Sequence, residues 1–323
     1  MAQRAPDAVD PSRRPLEDRP IEALARTLPE DPPRPRLLAC DIDGTLLDAT
    51  GGLHPAVREA IRAVADSGVH VILATGRSPW GGVARIVEEL GLTGPQVTMQ
   101  GALISDPRTG QIARARPLPI AVYLDALRFA EELEIEPVVA LMDGHRAARL
   151  PHDVDFVAHG TAADWFLPEA DLRSLADASP MRVFLPTNPD RHRQVRAAAA
   201  VWFAQRASLV WSDLTGVELL APYTNKGKAL AWMAALDGLG LDEVAAVGDG
   251  TNDIEMLLAA GQSAAMGDAP ALVRGAADIV VPSSERDGIV DALDWFFPDL
   301  GLGRELRGRV FRPRLLLPVD RPT

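Results

Sequence analysis

Residues 36–47, RLLACDIDGTLL, join a short apolar run to a group of polar residues, and this junction decides the fold. The same form occurs at three places in the chain. The three junctions, each an apolar run with the polar residues that follow it, are 36–40 with Asp41, 69–74 with Thr75, and 244–247 with Gly248-Asp249. Continuous apolar runs of this length are typical of strands that are buried on both faces. The sequence therefore predicts three strands of one parallel sheet, each ending in polar residues.

Helical patterns lie between these strands. In residues 55–67, Val57, Ile61 and Val64 recur at helical spacing, and Gly68 supplies a stop. The other elements predicted around the three junctions are helices at 228–236 and 254–260 and a strand at 277–281. Alternating strands and helices predict an α/β fold with a doubly wound parallel sheet.

The middle of the chain has a different pattern. Between the second and third junctions, helix-like stretches at 120–133 and 192–207 alternate with short strand-like ones, the latter at 137–142, 181–185 and 217–220. This α+β pattern predicts an inserted cap domain at 104–221. The core then comprises 36–103 and 222–300, a division that a chain of 323 residues can accommodate.

Two tails flank the core. Residues 1–35 hold eight of the 27 prolines and show no apolar periodicity, which predicts a disordered or loosely docked tail. Residues 301–323 hold six arginines against two acids, so this tail is basic. It could fold back on the acidic body or bind a partner, and the sequence does not identify a protein partner for either tail.

The composition excludes several classes of function. The net charge is −12, which argues against nucleic acid as a partner because phosphate backbones are bound by basic faces. A single cysteine cannot form an intramolecular disulfide or a cysteine-based metal site. No apolar run approaches the length of about 18 residues that a membrane span needs, and the first residues lack the apolar stretch of a signal peptide. We therefore expect a soluble, cytoplasmic protein that contacts neither nucleic acid nor membrane.

The polar ends of the three strands predict a site. In open α/β sheets, ligands bind beyond the carboxyl ends of the strands. The segments brought there are 41–45 (DIDGT), 75–77 (TGR) and 248–253 (GDGTND). Any one of them could be a turn or a helix cap. Acids clustered at one edge repel each other and imply a cation, and an all-oxygen ligand set such as Asp41, Asp249 and a backbone carbonyl favours Mg²⁺ over Ca²⁺.

The same segments carry a resemblance to a known family. The segment 41–47 (DIDGTLL) resembles the first motif of the haloacid dehalogenase superfamily of phosphohydrolases, and 74–77 (ATGR) resembles the second. Lys226-Gly227 before a helix resembles the third motif, and 248–257 (GDGTNDIEML) resembles the fourth in the form of the Cof-type subgroup. The resemblance covers residues 36–297 and implies a Rossmann-like core with an inserted cap of the C2B type.

The resemblance also implies roles for single residues. Asp41 is the nucleophile that forms an aspartyl-phosphate, and Asp43 is the general acid and then the base. The residues implied to hold the phosphoryl oxygens are Thr75, Gly76 and Lys226. The Mg²⁺ ligands implied are Asp41, Asp249 and the backbone carbonyl of Asp43, with Asn252 and Asp253 in support.

Two positions depart from the subgroup pattern. Gln100-Gly101 stands where the subgroup usually has Asn-Gly, at the hinge into the cap, and Asp268 stands where it often has Asn. Together with Arg77, these residues are candidates for substrate contacts. They concern the identity of the substrate and leave the catalytic set intact.

The function predicted is that of a Mg²⁺-dependent phosphatase acting on a small phosphomonoester, such as a sugar phosphate or a similar metabolite. One alternative is a phosphomutase that returns the phosphoryl group to a sugar. Another is a catalytically silent binding protein that uses the cap as a partner surface. The four catalytic positions Asp41, Asp43, Lys226 and Asp249 are all present, which favours the enzyme.

Overall fold

The chain folds into two sheet-based units joined by a small third sheet, in a computed structural model that describes residues 32–147, 166–169, 171–212 and 216–302. Its strands are β1 (Leu37–Cys40), β2 (His70–Leu73), β3 (Gln96–Thr98), β4 (Leu103–Ser105), β5 (Ile112–Ala115), β6 (Val138–Leu141), β7 (Gly144–Ala147), β8 (Phe166–Pro168), β9 (Arg182–Pro186), β10 (Ser208–Ser212), β11 (Gly216–Leu220), β12 (Val244–Gly248), β13 (Gln262–Met266) and β14 (Ile279–Val281). Its α-helices are α1 (Pro55–Asp66), α2 (Ala84–Leu90), α3 (Ile120–Glu132), α4 (Pro189–Trp202), α5 (Lys226–Leu236), α6 (Ile254–Ala259), α7 (Ala271–Ala276) and α8 (Gly288–Phe296).

The core sheet has five parallel strands in the order β14-β13-β12-β1-β2. Strand β1 lies between β2 and β12, with Leu37 opposite His70 on one side and Val244 on the other. The chain leaves β1 toward β2 and returns later to β12 on the opposite side. The carboxyl ends of β1 and β12 therefore form a topological switch point, where α/β sheets bind their ligands.

Both faces of the core sheet are covered by helices. Leu38 and Cys40 of β1 pack with α1, α2 and α8, whereas Leu37 and Ala39 pack with α5, α6 and α7. All four side chains are fully buried. Burial on both faces explains why β1 is apolar at every position and does not alternate. The prediction of a doubly wound, Rossmann-like α/β core is confirmed.

The helix boundaries follow local chemistry. Helix α1 has Pro55 in its first turn, where the missing amide hydrogen costs nothing, and the chain leaves it through Gly68 at φ +88°. Helix α5 starts at Lys226, and the side chain of Asn225 caps it by accepting a hydrogen bond from the amide of Lys228 at 2.8 Å. This cap fixes Lys226 at the first position of its helix.

A three-stranded antiparallel sheet, β3-β4-β5, connects the core to the rest of the chain. It joins the core sheet through a parallel bridge between Ala74 and Val97. The turn between β3 and β4 is formed by three consecutive residues with positive φ, namely Met99, Gln100 and Gly101. A left-handed backbone is unfavourable for residues with a side chain, so the surrounding contacts must hold this turn in place.

The second unit lies between β5 and α5 and is called the cap below. Its six strands have the order β10-β11-β9-β6-β7-β8 and are antiparallel apart from the β7–β8 pair. Helices α3 and α4 pack on this sheet around buried residues that include Tyr123, Phe129 and Phe203. The inserted α+β cap of the predicted fold class is confirmed, while the exact boundaries 104–221 stay a prediction.

The start of the described chain is docked on the core. The backbone oxygen of Pro33 accepts a hydrogen bond from Nε2 of Gln262 at 2.8 Å, and the Arg34 guanidinium lies over the ring of Phe297. The rest of the predicted tails, residues 1–31 and 303–323, lies outside the described residues. Among the described helices, none is both long and apolar enough to cross a membrane.

Candidate active site

Three predicted site residues lie at the carboxyl edge of the core sheet. Asp41 directly follows β1, and its amide extends the pairing by donating to the oxygen of Val247 at 3.0 Å. Thr75 lies just beyond β2 and Asp249 directly follows β12. The parallel order of the strands thus brings together residues that are far apart in the sequence.

The centre of the site is a buried ammonium between two carboxylates. Nζ of Lys226 donates to Oδ1 of Asp41 at 2.5 Å and to Oδ1 of Asp253 at 2.7 Å. Lys226 is 1% exposed and Asp253 is fully buried. Burial alone would lower the pKa of Lys226, but the carboxylates of Asp253 and Asp41 hold it above its ordinary value. Lys226 is therefore a fixed positive charge.

The surroundings of Asp41 disfavour the ionised form of its carboxyl group. Burial raises its pKa well above the ordinary value, and the neighbouring charge of Asp253 raises it further, while Lys226 opposes both. Asp249 shows the same behaviour, since burial and then Asp253 raise its pKa to about 7. One ammonium therefore does not neutralise the carboxylates gathered here.

The carboxylates form a group that could hold a metal ion. Oxygens of Asp41, Asp249 and Asp253 lie within 4.8 Å of one another. Oγ1 of Thr45 donates to Oδ1 of Asp249 at 2.8 Å and fixes its orientation. An all-oxygen donor set with surplus negative charge suits a hard divalent cation such as Mg²⁺. The predicted ligands Asp41 and Asp249 are thus close together, and Asp253, predicted as a supporting residue, joins them.

Glycines let the chain approach these carboxylates. A Cβ on Gly44, which has φ +73°, would lie 2.4 Å from Oδ2 of Asp249. A Cβ on Gly248 would lie 2.6 Å from Cγ of Asp253. Asp253 in turn accepts hydrogen bonds from the amides of Asp249 and Gly250 at 3.1 and 2.9 Å. This carboxylate therefore holds the 248–253 loop in shape as well as binding Lys226.

The side chain of Asp43 is paired with Arg77. Nε of Arg77 donates to Oδ2 of Asp43 at 2.8 Å, and the second guanidinium nitrogen binds Oδ1. The Asp43 side chain is 44% exposed, whereas that of Arg77 is 11% exposed. The amide of Arg77 also donates to Oγ1 of Thr75 at 3.0 Å. Arg77 thus joins the first two motifs, and the carboxyl group of Asp43 remains accessible from outside.

A second buried ionic group faces the site from the cap, and sequence reasoning missed it. Arg182 on β9 donates to Oε2 of Glu218 on β11 at 2.7 Å, and also to the backbone oxygen of Gly76 at 2.7 Å. Both side chains are less than 10% exposed. The sequence did contain a signal for this pair, because Arg182 and Glu218 are the single charged residues of two otherwise apolar strands, β9 and β11.

Gln100 links this cap pair to the core. Its Nε2 donates to Oε1 of Glu218 at 3.1 Å, and its Oε1 accepts from Nδ2 of Asn252 at 3.0 Å. Asn252, predicted to support the metal site, is therefore connected to the cap through Gln100. Asp268, the other departure noted in the sequence, is exposed, and its charge makes a minor contribution to the raised pKa of Asp249 after burial and Asp253.

A further cap residue, His145 on β7, contacts the segment that follows Arg77. Its Nε2 lies 3.0 Å from Oγ of Ser78, and its ring meets that of Trp80 edge to face with centroids 5.5 Å apart. Burial, with a smaller contribution from Arg182, lowers the pKa of His145 to about 3. This histidine is therefore a neutral packing residue between cap and core at neutral pH.

The doubly wound parallel sheet, the carboxylates at its switch point and the inserted cap define a capped α/β protein of the Rossmann-like class, with an aspartate-centred site. A family model described as haloacid dehalogenase-like hydrolase matches residues 38–293, and the chain belongs to this family. The resemblance found in the motifs, including its Cof-type subgroup, is confirmed.

The chain is also similar to named proteins. It is 28% identical over 264 residues to the pyridoxal phosphate phosphatase YbhA of Escherichia coli, covering 79% of this chain and 96% of that one. It is 26% identical over 280 residues to the chloroplastic endoribonuclease YBEY of Arabidopsis thaliana, where 81% of this chain spans only 46% of the relative. A solved haloacid dehalogenase-like hydrolase from Bacteroides thetaiotaomicron superposes with a TM-score of 0.72 at 20% identity, over 81% of this chain and 100% of that one, which supports the fold alone.

Proposed function

We propose that this family member is a Mg²⁺-dependent phosphatase that hydrolyses a small phosphomonoester through an aspartyl-phosphate on Asp41. The observation that carries the proposal is the placement of Asp41 beside both Lys226 and the carboxylate of Asp249 at the switch point of the sheet. A phosphatase among its relatives supports the reaction class.

Asp41 is the nucleophile in this scheme. Lys226 binds one of its oxygens and orients the carboxylate. A carboxylate oxygen attacks phosphorus, the new oxygen–phosphorus bond forms, and the ester bond to the leaving alkoxide breaks. Water then attacks the aspartyl-phosphate, which releases inorganic phosphate and regenerates Asp41. The covalent step divides one difficult displacement into two.

Asp43 is the proton donor and acceptor. Its exposed carboxyl group can reach a leaving group that enters from the cap side, and Arg77 holds it in a defined orientation. It gives its proton to the leaving alkoxide in the first step and takes one from water in the second, as general acid–base catalysis requires.

The remaining residues bind and neutralise the phosphoryl group. Lys226 supplies a fixed positive charge, and Thr75 and Gly76 would bind phosphoryl oxygens beside it. Asp41, Asp249 and the backbone carbonyl of Asp43 would hold Mg²⁺, with Asn252 and Asp253 in support. When bound, the ion offsets the charge of the carboxylates and of the phosphoryl oxygens.

The substrate class proposed is a small phosphorylated metabolite, such as a sugar phosphate. Nucleophilic attack by a carboxylate and proton transfer by Asp43 act at the ester itself, so they do not select the organic part of the molecule. The candidates proposed for contact with that part are Arg77 and Asp268.

Replacement of Asp41 by Asn tests the proposal. We expect phosphate release from a panel of phosphomonoesters with Mg²⁺ to fall by roughly 10³-fold or more, because the nucleophile is lost. Asp66→Asn, an exposed position at the end of α1, is the matched control and should retain full activity. Full activity of the Asp41 variant would contradict the mechanism. Following a labelled phosphate on a hexose phosphate shows whether water or the sugar is the acceptor.

A further inference from the structure

Gln100 occupies a position where the backbone and the side chain are both constrained. Its backbone has φ +59°, and its backbone N–H donates to the backbone oxygen of Thr75 at 3.0 Å. The side chain is 4% exposed. A residue held in an unfavourable left-handed conformation next to the catalytic loops points to a role that requires this placement.

The side-chain amide of Gln100 uses both of its ends. The nitrogen donates to Glu218 in the cap, and the oxygen accepts from Asn252 in the core. The carboxylate of Glu218 can only accept and the amino group of Asn252 can only donate, so the two partners demand opposite ends of one amide. Neither a carboxylate nor an apolar side chain at position 100 could satisfy both.

The cap end of this connection is anchored a second time. Arg182 binds Glu218 and also the backbone oxygen of Gly76. The Arg182–Glu218 pair therefore contacts the rest of the chain at two points, Gln100 and Gly76. A Cβ on Gly76 would lie 2.3 Å from Nε2 of Gln100, which shows how closely the two loops are packed. We call the connected set of Arg182, Glu218, Gln100 and Asn252 the buried bridge.

The core end of the buried bridge lies inside the loop that carries two carboxylates of the site. Asn252 lies in the turn Thr251–Asp253, between Asp249 and the residue that binds Lys226. A displacement of the cap that breaks the bond between Gln100 and Glu218 would leave the Gln100 side chain held only by Asn252, and this would loosen a constraint on the loop.

We propose that Gln100 is a positioning residue that couples the seating of the cap to the geometry of the 249–253 loop through the buried bridge. The inference rests on the proposed function, because the loop is taken to hold the ion. It departs from the expectation that Gln100 contacts the substrate: in this structure Glu218 and Asn252 occupy both ends of its amide.

The variant Gln100→Met tests this role, since it keeps the length of the side chain and removes both hydrogen bonds. Hydrolysis of p-nitrophenyl phosphate and calorimetric binding of Mg²⁺ to the substrate-free protein are measured together. We expect kcat and Mg²⁺ affinity each to fall by about 10-fold or more, the usual loss for a residue that supports metal ligands, with KM changed by less than about 3-fold.

The matched control is Gln96→Met. Gln96 is a fully buried glutamine four residues earlier, and its amide binds the backbone of Leu73 and Gly94. Its replacement should lower the melting temperature to a similar degree and leave kcat and Mg²⁺ affinity within about 2-fold, inside the scatter of independent sites. Equal losses of Mg²⁺ affinity in the two variants would overturn the proposal, and so would a raised KM with unchanged kcat in Gln100→Met.

The coupling itself is tested by Glu218→Leu in two backgrounds, because this change removes the oxygen that accepts from Gln100. In the wild-type protein it should weaken Mg²⁺ binding, and in the Gln100→Met protein it should add no further loss because the connection is already cut. An undiminished loss in the second background would refute coupling through Gln100. Since Mg²⁺ binding is measured without substrate, a protein that released no phosphate would disprove the proposed function and still answer this question.

Discussion

Two buried ionic clusters of this protein are balanced differently. At the edge of the core sheet, Lys226 stands among three carboxylates, so negative charge is in surplus. Across from it, Arg182 and Glu218 form one pair of opposite charges. Surplus negative charge is relieved by a further cation or by protonation of a carboxylate, whereas a paired charge needs neither. The first cluster has the charge surplus that the proposed metal site requires, and the second joins the cap to the backbone of Gly76.

The largest effect is expected when the surplus is increased. Lys226→Met should reduce phosphate release by roughly 10³-fold or more and should destabilise the metal-free protein by about 3–5 kcal/mol, because buried carboxylates lose their partner. Addition of Mg²⁺ should recover part of the stability, as measured by thermal unfolding with and without the ion. Lys228→Met, two residues along and close to the ring of Tyr223, is the control that should change little. A Lys226 variant as stable and active as wild type would show that this cluster does not carry surplus negative charge.

A smaller effect is expected when the balanced pair is broken. Arg182→Met should cost about 3 kcal/mol, since it leaves Glu218 buried without its guanidinium partner. The double variant Arg182→Met/Glu218→Leu should regain much of this stability, because an apolar pair can replace a buried ion pair of similar volume. Urea unfolding of the single and double variants measures both effects. A double variant less stable than Arg182→Met would contradict this expectation, and it would show that Glu218 stabilises the protein through contacts other than its ion pair with Arg182.

The smallest effect is expected at a third cluster, which is partly exposed. His54 lies 2.6 Å from Asp287 and 2.9 Å from Asp48, and hydrogen bonds to these two carboxylates raise its pKa. A raised pKa means that the folded protein binds the proton more tightly, so the stabilisation is complete below about pH 6.5 and is lost as pH rises through the folded value.

The variant His54→Gln should therefore differ from wild type at pH 5.5 and approach it at pH 9, with melting temperature as the readout. Screening by solvent keeps the difference small. A difference in melting temperature that grew as the pH rose would contradict the prediction that the pKa of His54 is raised in the folded protein.

The core site could be predicted because its residues are local to strand ends. Asp41, Thr75 and Asp249 each follow a buried strand, and the parallel topology alone brings them to one edge. Lys226 was identified through the resemblance of Lys226-Gly227 to the third motif of the family. The sequence could not show that Asp253 lies within reach of both Asp41 and Asp249, because that depends on how the 248–253 loop folds back on α5.

The buried bridge could not be predicted in the same way. Its members come from β9, β11, the turn after β3 and the loop after β12, and their proximity depends on how the cap packs on the core. Seven of the described strands were also not predicted, namely β3, β4, β5, β7, β8, β10 and β13. Strand β13 is rich in Ala and Ser, which lack the branched or aromatic side chains typical of strands, and β10 directly follows the helix that the sequence predicts as far as residue 207.

The position of Cys40 has a practical consequence. It is the only thiol in the chain, it lies fully inside β1, and burial raises its pKa far above the range in which a thiolate forms. Reagents that react with thiolates should therefore leave Cys40 unmodified. Cysteines introduced at exposed positions, one on the core and one on the cap, would therefore be the only reactive ones, and spectroscopic labels on them would report the distance between the two units without a background signal.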